Sequence, residues 1–176
     1  MLAKLKLLSA LAFSLSLLSG CASEVTYERY SLSLNVAPEV FGSELLKRIT
    51  VTDTLALHGG GLMMRVSDVS VVESPTNRYA QSLERDLKLL TASEILKSGK
   101  DEPHYAYRLE VSRFWGNLEG KAEVALSLSV LDEGKIVSTY AGERLIPLKA
   151  DGYAELTRCL KEGFLILLRQ SLIEFS

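Results

Sequence analysis

The stretch YAYRLEVSRFWGNLEGKAEVALSLSVLDEGKIVSTYAGERL, residues 105–145, decides the fold. Tyr105, Tyr107, Leu109 and Val111 alternate with Ala106, Arg108, Glu110 and Ser112. Further on, Ala122, Val124, Leu126, Leu128 and Val130 alternate with Glu123, Ala125, Ser127 and Ser129. A period of two sends successive side chains to opposite faces, so each segment is a strand with one face on a core. Residues 117–120 form a turn between them, and Asp132-Glu133-Gly134 supplies a tight hairpin into a third strand over 135–145. The three make an antiparallel meander.

Downstream, residues 152–175 read as a long closing helix. Its apolar set (Tyr153, Leu156, Leu160, Phe164, Leu167, Leu168, Leu172, Phe175) is wider than one face requires. The excess at Phe164, Leu165 and Leu168 marks a candidate face for a partner protein or a homo-oligomer, beside the plainer reading that it packs on the sheet. A membrane span is excluded there, because Lys161, Glu162 and Arg169 interrupt the run.

Upstream, strands are expected over 27–34, 46–51, 62–66 and 69–72, with Pro75-Thr76-Asn77 breaking the pattern and starting a helix over 80–96. Leu83, Leu87, Leu90 and Ile95 line one side of that helix, Glu84, Arg85 and Lys88 the other, and Gly99 stops it. His58-Gly59-Gly60-Gly61 is read as a strand connection. No Lys-Ser or Lys-Thr follows to make it a phosphate loop. The expected order is ββββαβββα, an α+β fold with a mostly antiparallel sheet and two amphipathic helices packed on it.

The chain opens with Lys4 and Lys6, an apolar core over 7–17, and Leu18-Ser19-Gly20-Cys21. That is a signal segment too short to be a span. Its last four residues match a bacterial lipobox, with cleavage between Gly20 and Cys21 and diacylglycerol attached to the Cys21 thiol. Residues 1–20 are then the signal peptide, 21–25 the lipidated cysteine and a short tether, and 26–176 one domain. Two or three acyl chains make a lasting anchor where one holds only reversibly.

Of 176 residues, 20 are basic and 22 acidic; the signal takes Lys4 and Lys6, leaving the mature part at a net charge of −4. Nucleic acid is a poor partner for such a balance. With Cys21 lipidated, Cys159 has no disulfide partner and reads as a small buried apolar residue, with Arg158 and Lys161 projecting elsewhere on the helix. His58 and His104 stand far apart with no zinc spacing, and no serine elbow or paired-carboxylate motif accompanies them. The expectation is a protein without catalytic turnover, metal or cofactor.

Several segments carry a family resemblance covering most of residues 21–176. They are Tyr27-Glu28-Arg29-Tyr30-Ser31-Leu32 close behind the lipobox, Ile49-Thr50-Val51-Thr52-Asp53-Thr54-Leu55, Leu62-Met63-Met64-Arg65, Arg78-Tyr79-Ala80-Gln81-Ser82-Leu83, Val111-Ser112-Arg113-Phe114, and Gly152-Tyr153. Together they resemble the ABC-type transport auxiliary lipoprotein family. Thr52 and Ser82 stand where proline is common in that family, and Tyr79 where tryptophan is. The resemblance implies a lipoprotein on the periplasmic side of the outer membrane, working with an MCE-family protein and the permease and ATPase of an ABC transporter in moving lipids. The alternative is an assembly or structural lipoprotein of another envelope or secretion complex.

Overall fold

The computed structural model describes residues 26–52 and 60–175. The lipobox residues and His58 lie outside them. The chain enters on a short strand, β1 (Glu28–Tyr30), which pairs in parallel with β4 (Ser70–Tyr79). Extended structure stops well before residue 34 because the Leu32 N–H donates to Asp86 Oδ2 at 3.1 Å instead of joining the sheet. A 3-10 turn at Pro38–Val40 follows, then a single helical turn, α1 (Leu45–Arg48), where a strand was expected from residue 46. Leu45 and Ile49 are both fully buried while Lys47 between them is exposed; a strand would turn all three to one face, whereas a helical turn brings only the positions four apart inward. β2 (Ile49–Thr52) then lies parallel to β5 (Tyr105–Asn117).

β3 (Gly61–Ser67) and β4 form an antiparallel hairpin in which β4 runs straight through Pro75. The expected break becomes an irregularity in pairing, since the register jumps from Met63↔Glu73 to Gly61↔Arg78. Pro75 sits inside that jump, where its missing N–H costs no ladder bond. The helix start therefore moves to Ser82, whose Oγ accepts the Arg85 N–H at 3.2 Å, and α2 spans Leu83–Ser98. Gly99 closes α2 in the left-handed region (φ 69°), as its position predicts.

The meander is as read: β5, β6 (Lys121–Asp132) and β7 (Lys135–Pro147) are antiparallel neighbours. Glu133 and Gly134 both take positive φ in the β6–β7 turn, the conformation that matches strand twist. At Ser112 a bulge shifts the pairing from Val111↔Leu126 to Arg113↔Ala125, so the inward set on β5 changes from odd to even numbers.

Laterally the strands run β1-β4-β3-β5-β6-β7, with β2 on the same edge of β5 as β3. The sheet is mixed, with β1–β4, β2–β5 and β3–β5 parallel, which corrects the mostly antiparallel expectation. Along the chain the order is βαβββαβββα, one short helix more than expected. α3 (Tyr153–Glu174) lies along β6 and β7 beside α2. Phe114 meets Phe164 edge-on, 6.4 Å between ring centres, and a methyl at Gly163 would stand 3.1 Å from Val124 Cγ2. Glu94 of α2 binds Arg169 of α3 at 2.7 Å, fastening the helices to each other. Among the described residues no helix is long and apolar enough to cross a membrane.

Candidate functional site

The residues singled out in sequence scatter. Cys21 and Gly20 fall outside the described part. Phe164 and Leu168 are fully buried on the inner side of α3, in the chain's own core, and Leu165 is half-buried against it. None of the three forms an open apolar face, so the plainer reading of that excess describes where these side chains go. His104 is exposed, its ring 4.2 Å from that of Tyr105. Cys159 is buried as expected, but Arg158 does not point away, because its Nη2 lies 3.2 Å from Cys159 Sγ. Burial nevertheless pushes the thiol up, against the pull of that guanidinium. Among the described residues no group of three or more histidine, cysteine or acidic side chains could hold a metal ion.

The helices cover one face of the sheet and leave the face bearing Glu123 open. Even-numbered β6 residues such as Val124 meet α3, so the odd-numbered ones face the other way, and on this side Glu123, Trp115, Asn117 and Arg65 come together. Glu123 is the centre. Its Oε1 accepts from Asn117 Nδ2 at 2.7 Å and from Arg65 Nε and Nη2 at 2.9 and 2.6 Å. Its Oε2 accepts from Trp115 Nε1 at 3.0 Å. The carboxylate is nearly inaccessible, 6% exposed, on a face with no helix over it. Burial raises its pKa, yet the donors of Asn117, Arg65 and Trp115 outweigh burial and hold it below the ordinary carboxylate range.

Asn117 also turns the chain: its Oδ1 accepts the N–H groups of Glu119 and Lys121, both at 3.0 Å. The rim holds Arg113, paired with Glu143 at 2.8 Å, and the exposed Leu145. Every polar atom of Glu123 is engaged within the chain, so this arrangement presents a rigid indole and guanidinium to the outside and offers no free acid or base. Sequence reasoning missed it. The one signal available was the chain's single tryptophan, on a strand beside Gly116 and Asn117.

A second buried carboxylate works differently. Asp86, in the first turn of α2, accepts from the Leu32 N–H, Ser33 Oγ and Gln81 Nε2, and so holds the entering segment against the helix.

Searches of family models and of curated proteins return no match. Solved structures do match. A crystal structure of an uncharacterized protein superposes with a TM-score of 0.69 at 18% identity, covering 86% of this chain and 99% of that one. Protein XCC0632 from Xanthomonas campestris, of the DUF330 family, gives 0.61 at 13%, over 70% of this chain and 78% of that one. The likeness is one of fold. The PelC dodecamer from Paraburkholderia phytofirmans is looser, with a TM-score of 0.41 at 12% identity over 69% of this chain and 85% of that one, and adds nothing to it.

Proposed function

We propose that this chain is a lipid-anchored auxiliary component of an ABC/MCE-type intermembrane lipid transport system, held by Cys21 to the periplasmic side of the outer membrane. It works by docking, without turnover of its own. The observation that carries the reading is the lipobox cysteine only seven residues ahead of β1, on a chain whose sequence segments resemble the auxiliary lipoproteins. Support for docking comes from the open sheet face around Glu123, where Trp115 and Arg65 are locked by hydrogen bonds and need no ordering when a partner arrives. Shared fold with the DUF330 protein is compatible with this and specifies no partner.

Two measurements test it. In cells lacking the gene, the wild-type chain should restore envelope permeability and Cys21→Ser should not, although the variant folds. A photo-crosslinker introduced at Leu145, on the rim of the Glu123 cluster, should yield an adduct containing an MCE-domain protein. An adduct formed only with a secretion component would transfer the chain to the alternative class of envelope lipoproteins.

A further inference from the structure

One end of the sheet gathers the tips of three connections. Met64↔Gly116 and Arg65↔Asn117 bring the β3–β4 hairpin beside the β5–β6 turn, and Lys121↔Pro147 adds the segment leading into α3. Two large apolar side chains stand out from this end. Val69, at the hairpin tip, is 96% exposed, and Leu118, in the β5–β6 turn, is 72% exposed. Among the described residues no basic patch accompanies them: Arg65 is shared between Asp68 at 3.2 Å and Glu123 at 2.6 Å, and Lys121 pairs with Glu119 at 2.8 Å. What this end offers a partner is apolar surface without a basic cluster for anionic headgroups.

The start of the described chain fixes which end can meet a membrane. Glu28 pairs with Asn77, next to Arg78↔Gly61, and therefore stands close to level with Phe114 of β5. Because β1 is parallel to β4, whose own start is the hairpin tip, the chain enters Glu28 from the Val69 side. Seven residues from Cys21 to Glu28 reach about 24 Å at full extension. The far end of the sheet, at Tyr105 and the β6–β7 hairpin, lies nine strand residues away, about 30 Å. The near end is closer, with Asn117 three residues away, about 10 Å, and the Val69 tip about six residues away, about 20 Å. An acyl chain on Cys21 can thus enter a bilayer beside Val69 and Leu118, and the tether is too short to do so beyond the opposite end.

From this placement we infer that the Val69 and Leu118 tips rest in the lipid interface, so that the domain stands on the membrane in one fixed orientation. The inference rests on the lipid-anchor reading of Cys21. Its occupant is a bilayer surface, met by apolar side chains and not through headgroup charge. The standing orientation would direct the β6–β7 hairpin away from the membrane.

The test uses the full-length lipidated protein in phosphatidylcholine vesicles. An environment-sensitive fluorophore is attached in Val69→Cys, in Leu118→Cys, and in Ile136→Cys at the opposite end. All three positions are exposed, and the buried Cys159 is shielded from labelling. Brominated lipid should quench the probes at positions 69 and 118 several-fold more than the probe at 136. Equal quenching at all three positions in protein that floats with the vesicles overturns the orientation. Mass spectrometry of Cys21 separates the two readings: acylated protein with unquenched tips sinks this inference alone, whereas unmodified Cys21 sinks the anchor and the orientation together.

Discussion

Arg65 of β3 reaches across β5 to Glu123 of β6, both its Nε and Nη2 donating to the same carboxylate oxygen. Two strands that do not pair with each other are thereby tied on the face opposite the helices. The partners are unequally buried, 30% exposed for Arg65 and 6% for Glu123. That inequality decides what each substitution does.

Glu123→Ala strips acceptors from Arg65, Asn117 and Trp115 at once and should cost about 3 kcal/mol, the scale of breaking a buried charged pair. Arg65→Ala should cost less, since Glu123 keeps Asn117 and Trp115 and water can reach the vacated site. Urea unfolding of the two variants checks the ranking. Equal losses would mean that water does not reach Glu123 once Arg65 is gone.

Acid should weaken the fold through the same carboxylate. An unfolded glutamate titrates near about 4.3, and the folded Glu123 titrates lower. Its stabilisation is therefore full above pH ~4.3 and is lost as pH falls through the folded value. Glu155 behaves alike, held down to about 2 by Arg158 and then by the Lys149 N–H. Stability measured from pH 6 to pH 2 should fall, and in Glu123→Gln it should fall less steeply.

Phe164→Ala removes a fully buried ring from contact with Phe114 and should cost about 3–5 kcal/mol, as large-to-small core changes do. Leu165→Ala, at a half-buried position, should cost about 1 kcal/mol. Thermal unfolding separates them. Comparable small losses with an altered molecular mass would return Phe164 to an interface.

Cys159 should resist thiol reagents in the native protein and react only on unfolding, because it is buried and burial keeps it protonated. Maleimide labelling with and without denaturant measures this. Fast native labelling would show that Arg158 lowers the thiol more than burial raises it.

Asp86→Ala should release the entering segment and not the core. It orphans the Leu32 N–H and frees Ser33 and Gln81, at a cost of about 2 kcal/mol. Hydrogen exchange should accelerate first at Leu32. Unchanged protection there would show another acceptor taking over.

Alternation in residues 105–145 was enough to determine the meander, since a period of two states which face of a strand is buried without reference to any partner. Leucine spacing over 83–95 and the Gly99 stop determined α2 in the same way, whereas the width of the apolar set on α3 left deep burial and a partner face both open until the structure put Phe164 and Leu168 in the core. What sequence could not determine is whatever depends on pairing between distant segments. Which strand lies beside β5 is decided by hydrogen bonds from residues 49–52 and 64–65, and these made parallel neighbours that periodicity does not encode. Pro75 reads as a breaker until a register jump removes the need for its N–H. Residues 46–51 look like a strand until Lys47 is found exposed between the buried Leu45 and Ile49, a pattern that only a helical turn gives. The Glu123 cluster belongs to the same class: Arg65 and Glu123 are 58 positions apart, and a bulge at Ser112 with β5 between them brings their side chains to one oxygen. Local spacing records burial, and only the tertiary fold brings charges together.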